Sequence, residues 1–332
     1  MDKISEQVRG KIQALIAHLD NASRVCLYPH ENMDGDALGS CVALCKRLRQ
    51  EGKTAWVVID EPVPDNLLFL DQGYCTDDRN LALTADTAML IDCGEPSRIG
   101  SRAELFLATP GKLCIDHHST SRECCDINWI DPVAAATGQM IYLLLTEMGT
   151  KPDPEIGNAL FAAITTDTGN FQYSNTQKIS HEIVADLYDW GILPNQVSME
   201  IYESNRPERI LIESRALSTL KLLFDGRVAM AYVSQRMFQE TGAAESETER
   251  VIVKMRSLKG IDIAVFLKEK KKGSISISFR SKNDRVNVAR IASAVGGGGH
   301  TKAAGATLKD MDLSEAWQRV QEAIADELGR AD

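Results

Sequence analysis

Four short apolar runs, RVCLYPH (24–30), TAWVVID (54–60), TAMLIDC (87–93) and KLCIDHH (112–118), constrain this chain more than any other feature. Each has the length of a buried strand, and helix-like segments such as DALGSCVALCKRLRQEG separate them, the alternation that builds a parallel α/β sheet. Three of the four end in chemistry: His30 after the first, Asp92 in the third, and Asp116, His117 and His118 in the last. Ligands of open α/β sheets bind at the carboxyl ends of the strands, so the order of residues alone gathers these side chains around one crevice. Asp34 and Asp36 follow His30 in HENMDGDALGS, and Asp167 ends a later helical pattern in ITTDTGNF.

Aspartate oxygen and imidazole nitrogen suit manganese first, with magnesium, cobalt or zinc tolerated, and the absence of cysteine from these motifs disfavours structural zinc. Asp34 and Asp36 flank Gly35, which is expected to allow a tight turn that directs the two carboxylates toward neighbouring ions. Two ions ~3.5–4 Å apart can bridge a hydroxide and clamp a phosphoryl oxygen, lowering the pKa of the bound water toward ~7. The reaction this implies is phosphoester or phosphoanhydride hydrolysis. Taken singly, an aspartate at a strand end is more often a cap or turn former, so the reading rests on all four motifs together. His18 and His181 read as ordinary helix residues, and Glu31 and Glu95 as solvated. Phe171 and Tyr173, just past Asp167, read either as base contacts or as loop anchors.

At 332 residues, 44% hydrophobic and 25% charged, the chain has the make-up of a soluble protein of two ordinary domains. Its start carries Ile4, Val8, Ile12, Leu15, Ile16 and Leu19 at helical spacing between charges, which is an amphipathic helix and not an export signal. No apolar stretch is long enough to span a bilayer, so no membrane association and a cytoplasmic location are expected. All eight cysteines precede residue 126 without a CxxC pair, which suits reduced structural thiols, with Cys124 and Cys125 the only pair placed for reactivity. The net charge of −10 disfavours non-specific binding to long nucleic acid. Residues 251–310 nevertheless balance to +9, leaving −19 for the rest. An acidic, metal-demanding part is joined to a basic, anion-seeking one.

In that basic part, GRVAMAYVS, IDIAVFLKEK and GSISISFRS have strand character, with Lys270 to Lys272 and Gly273 as a hairpin turn between the last two. A helical stretch from Pro194 to about Phe224 reads as a connector before them. After them come a helix, the glycines Gly296 to Gly299, His300, Thr301 and Lys302, a short strand and a closing helix. A glycine run is expensive to order and is kept where backbone must approach a ligand closely. The amides of Gly297, Gly298 and Gly299, with His300 and Lys302, read as an anion site, joined by Arg280 and Lys282 of SFRSK.

The four motifs of the first half resemble those of the DHH phosphoesterase superfamily, whose Asp-His-His signature stands here as Asp116, His117 and His118. The resemblance implies that His30, Asp34 and Asp92 hold one metal and that Asp36, Asp92, His117 and Asp167 hold the other, with Asp92 bridging. It further implies that His118 contacts the scissile phosphate and that Asp116 supports the histidines from behind. Where family members commonly carry Asn-Pro before the first aspartate, this chain has Asn32-Met33, a departure expected to loosen the loop and leave every ligand in place. The second half, through FRS and GGGGHTKAAGA, resembles the DHH-associated domain of RecJ and NrnA-type enzymes and not the C-terminal domain of family II pyrophosphatases. That likeness gives Arg280 and the glycine-histidine motif the role of holding the terminal phosphate and nucleotide of the substrate.

The resemblance thus implies a parallel-sheet domain with helices on both faces over residues 1–190, a helical connector over 191–223 and a smaller α/β domain over 224–332. A cleft carrying the two metals on one wall and Arg280 and His300 on the other would measure substrate length. The implied activity is hydrolysis of short 5′-phosphorylated RNA or dinucleotides to mononucleotides, and of 3′-phosphoadenosine 5′-phosphate to AMP, by a homodimer in keeping with the family. Competing readings are a cyclic or linear dinucleotide phosphodiesterase, a RecJ-like exonuclease and a nucleotide-binding module without turnover.

Overall fold

The structure, a computed structural model, describes residues 5–270, 273–283 and 285–331. It divides into two compact units, Met1–Ser204 and Asn205–Asp332. The first unit is built on the apolar runs. They form β1 (Arg24–Tyr28), β2 (Thr54–Val58), β4 (Thr87–Ile91) and β5 (Gly111–Asp116), and β3 (Cys75–Thr76) and β6 (Ile127–Ile130) extend the sheet at either edge. All pairings are parallel, in the order β3-β2-β1-β4-β5-β6. The direction of winding reverses between β1 and β4, so the crevice that such a reversal opens lies where His30 and Asp92 leave their strands.

Both faces of the sheet are covered. Alternate strand residues such as Leu27, Val57, Met89 and Ile115 pack under α1 (Glu6–Asn21), α2 (Gly35–Gln50), α5 (Thr137–Glu147) and α6 (Pro154–Asp167). The intervening ones, Cys26, Val58, Leu90 and Cys114 among them, pack under α3 (Arg79–Ala82) and α4 (Ala103–Ala108). The unit closes with α7 (Lys178–Asp189) and α8 (Pro194–Ser198). The amphipathic first helix forms, burying Ile12, Leu15 and Leu19; Ile4 lies outside the described residues. No helix is long and apolar enough to cross a membrane, among the described residues.

Gly35 serves differently from the expectation. It is the first residue of α2 and not the pivot of a turn. A Cβ there would lie 2.5 Å from Thr166 Cγ2, so glycine is needed because α2 lies against α6. One helical turn on, Gly39 repeats the device, with Ala159 O 2.4 Å from a would-be Cβ. The helix carrying Asp36 can therefore sit against the helix that ends in Asp167.

The second unit opens with α9 (Pro207–Ser218), whose Ile212 and Ala216 bury against the second sheet. The stretch 191–223, read as one connector, is thus shared between the two units, because α9 has a core of its own to join. The second sheet comprises β7 (Lys221–Leu223), β8 (Val228–Val233), β9 (Ile263–Lys270), β10 (Ser274–Ser281), β11 (Gly298–Gly299) and β12 (Ala303–Lys309), in the order β11-β12-β10-β9-β8-β7. In this sheet, among the described residues, only β8 and β9 pair in parallel. Helices α10 (Gln235–Thr241) and α11 (Glu249–Arg256) join α9 on one face, and α12 (Val288–Ala294) and α13 (Leu313–Ala331) cover the other. In the β9–β10 hairpin, Lys271 and Lys272 of the expected turn lie outside the described residues.

Candidate metal centre

The carboxyl ends of the first sheet bring His30, Asp34, Asp36, Asp92, His117, His118 and Asp167 together. Three groups have donor atoms within 4.8 Å of one another: His30 with Asp34 and Asp92, Asp36 with His117 and Asp167, and Asp92 with His117 and His118. Asp92 joins them: its Oδ2 lies 3.5 Å from His30 Nε2 and its Oδ1 3.5 Å from His117 Nε2. His117 Nε2 is also 3.3 Å from Asp167 Oδ2 and 3.8 Å from Asp36 Oδ2. Asp92 adopts a φ of 62° at the end of β4, a conformation aspartate visits rarely, and the surrounding contacts hold it there.

Each imidazole is fixed from behind. His30 Nδ1 lies 2.7 Å from the Glu31 carbonyl and His117 Nδ1 3.1 Å from that of Ala134, so both rings donate Nδ1–H to backbone and turn Nε2 lone pairs inward. Asp116 serves His118 alone of the histidine pair. Its Oδ1 is 2.7 Å from His118 Nδ1, and its Oδ2 accepts from the Ser121 hydroxyl. These bonds overcome burial and hold the Asp116 carboxyl below its usual range, and the Asp116 bond raises the His118 imidazole.

The buried Asp36 carboxylate accepts backbone N–H bonds from Thr137 (2.7 Å) and Gly138 (2.8 Å) at the start of α5, and the Ser40 hydroxyl lies 3.2 Å away. Thr137 also donates its hydroxyl to Asp92 Oδ1 at 2.7 Å. Nothing in the sequence singled out Ser40, Ser121, Thr137 or Gly138; the TG step opening an apolar helix was the one available signal. Asp34, on the exposed rim, accepts from the amides of Asp36 and Ala37 and so caps α2. The loop before it is not loosened by the absence of proline. Met33 is buried, and Glu61 accepts the amide N–H of Met33 (3.3 Å) and of Asn32; a proline at 33 has no such N–H to give.

This donor set fits divalent cations. Burial and the nearby charges of Asp92, Asp167 and Asp34 push the Asp36 carboxyl well above the usual range, and burial, against the pull of His117, pushes Asp167 up to about 6. Carboxylates crowded in this way repel one another until positive charge enters among them.

Other candidates are not among these donor groups. His18 Nε2 meets Thr87 Oγ1 at 3.1 Å, and His181 stacks on Phe171, which also packs on Phe161. Phe171 is therefore a loop anchor, while Tyr173 is exposed over Gly169. Burial pushes the Cys26 and Cys45 thiols up to about 12, as expected of structural cysteines, whereas hydrogen bonds from Cys114 and Cys124 lower that of Cys125.

In the second unit the alternation that buries Ile275, Ile277 and Phe279 sets Ser276, Ser278 and Arg280 on the opposite face of β10. With Thr248, Phe266 and Lys268 they line a recess of about 320 Å³. Arg280 stands opposite Ala303 in the β10–β12 ladder, so it shares one end of the sheet with the turn that holds His300. Lys282 Nζ donates to Leu258 O at 3.1 Å, and Lys302 Nζ reaches Lys282 O at 3.5 Å. The glycine run differs from an open cradle. Gly298 and Gly299 form β11 against β12, and the amides of Gly296, Gly297 and His300 are bonded to Ser293 O, Ala292 O and Ala303 O. Gly297 is glycine because a Cβ would lie 2.1 Å from Gly305 O.

A family model for the DHH family, N-terminal domain, matches residues 24–189, and one for the DHHA1 domain matches residues 225–328. The chain is 33% identical to the bifunctional oligoribonuclease and PAP phosphatase NrnA of Thermus thermophilus, over 91% of this chain and 89% of that protein. It is 25% identical to the protein of the same description from Bacillus subtilis, over 91% and 94% of the two. The crystal structure of an exopolyphosphatase-related protein from Bacteroides fragilis superposes with a TM-score of 0.91 at 23% identity, covering 100% of this chain and 99% of that one, a likeness of fold.

Proposed function

The chain belongs to the DHH family and carries a DHHA1 domain, and from that premise we propose that it hydrolyses short 5′-phosphorylated oligonucleotides to mononucleotides, and 3′-phosphoadenosine 5′-phosphate to AMP. What carries the reading is the pair of histidine-aspartate groups joined through Asp92. His30, Asp34 and Asp92 would hold one cation and Asp36, Asp92, His117 and Asp167 the other. When bound, two manganese ions, with magnesium or cobalt as substitutes, supply Lewis-acid activation of water and neutralise charge on the phosphoryl oxygens.

The chain's own residues orient and hold. Thr137 fixes the Asp92 carboxylate that both groups share, and the α5 amides fix Asp36. Asp116 takes the Nδ1–H of His118, leaving Nε2 to face a phosphoryl oxygen of the substrate. Arg280, Lys282 and His300, with the backbone of Gly297, Gly298 and Gly299, would receive the terminal phosphate. Because Gly297 and His300 already spend their amides within the protein, that charge is met chiefly by side chains, and the glycines serve by leaving room.

The test is mononucleotide release, with manganese present, from 5′-phosphorylated RNAs of increasing length beginning at the dinucleotide, beside an Asp36→Ala control. Fast turnover confined to the shortest substrates and lost in the control is expected. Equal turnover of long strands would point to an open, RecJ-like channel, and none at any length would discard the oligonucleotide reading.

A further inference from the structure

The second unit holds a larger recess that the proposed chemistry does not use. It encloses about 690 Å³ around the end of β8, between α9, α10 and the start of α13, a size that suits a mononucleotide. Its aromatic wall is Trp317 and Tyr232, half-buried and edge-to-face with centroids 6.2 Å apart. Arg215 and Lys221 also line it. Both are exposed, and neither side chain has a hydrogen-bond or ion-pair partner among the described residues, whereas Arg236 beside them is paired with Glu240 at 2.7 Å. Unpartnered cations next to an aromatic wall select an anion that carries a ring.

The recess is separate from the Arg280 site. No residue lines both it and the recess that holds Arg280. Two further occupants are disfavoured. A peptide strand cannot pair with β8 at Tyr232, because Thr219 Oγ1 already takes that residue's amide (2.8 Å) and carbonyl (3.0 Å). The first amides of α13 are not open to an anion either, since Asp312 Oδ1 accepts from Ser314 and Glu315.

We propose that this recess is a second binding site, taking a nucleoside monophosphate with its base on Trp317 and Tyr232 and its phosphate on Arg215 and Lys221. The choice of a nucleotide among ring-bearing anions rests on the proposed function, which releases one. The recess itself does not.

The experiment is calorimetric titration of the manganese-loaded full-length protein with AMP, adenosine and inorganic phosphate, for the natural protein, Arg215→Ala/Lys221→Ala and Trp317→Leu. Mononucleotide release from a short RNA is measured on the same preparations. Loss of charge-assisted hydrogen bonds should weaken one class of AMP site about tenfold or more in the double variant, with basal release unchanged. Trp317→Leu should weaken AMP and adenosine alike. AMP affinity and stoichiometry unchanged in both variants would overturn the proposal, as would phosphate binding as tightly as AMP. Trp317-dependent AMP binding in preparations that release nothing from RNA would sink the proposed function and leave this site standing.

Discussion

Thr137 is the residue on which the centre turns, because its amide holds Asp36 and its hydroxyl holds Asp92. Thr137→Val keeps the amide and the shape and removes only the hydroxyl. Outer partners of metal ligands typically contribute 10–100-fold in metal affinity or activity, so about that loss is expected in a manganese titration of turnover, with Thr137→Ser recovering most of it. The crowded carboxylates also set a pH dependence. In the metal-free protein Asp167 has its pKa raised to about 6, above the unfolded value near 3.8. The folded state thus holds its proton more tightly than the unfolded chain does. The stability this contributes is fully present below pH 3.8 and is lost as pH rises through about 6. Binding of divalent cations should accordingly take a proton from Asp167 near pH 5 and none from it near pH 8. Calorimetry in buffers of different ionisation enthalpy reads that number directly, and equal release at both pH values would refute the assignment.

Among elements, the contact of α2 with α6 matters most, since it sets Asp36 against Asp167. Gly39→Ala would press a Cβ onto the Ala159 carbonyl and wedge the two helices apart. The overpacking should cost about 1–3 kcal/mol and, with it, activity; thermal unfolding beside turnover checks this, and full activity at an unchanged melting temperature would show that the helices give way harmlessly. The long strands were legible in the sequence because β1, β2, β4 and β5 are buried on both faces and so read as unbroken apolar runs. β3, β7 and β11 were not, being two or three residues long and held by their neighbours more than by their own pattern. The donors His30, Asp92 and His117 were legible as strand ends, whereas Ser40, Thr137 and Glu61 act across the fold and carry no local mark. Gly35 shows the limit most plainly: its need is set by Thr166, 131 positions away, which no local pattern reports.

For the whole molecule the uneven charge has a measurable effect. If the +9 segment of residues 251–310 receives the substrate phosphates, KM should rise with salt while kcat holds nearly constant. Neutralising about two phosphates of a single strand gives a log–log slope of about −1.4, and Arg280→Ala should flatten it by about 0.7. A KM indifferent to salt would remove electrostatics from substrate capture. The strand order of the first unit carries a last consequence. β1 is made early yet lies between β2 and β4, and the donors around it run from His30 to Asp167. During synthesis, then, half of the chain must leave the ribosome before the last of these donors exists, and parallel pairings across such separations close slowly. A nascent chain offers scattered carboxylates that grip no ion well; only a finished sheet gathers them. On the proposed ligand set, capture of the cations would therefore report that assembly is complete, and would lock the two edges of the winding reversal together from then on.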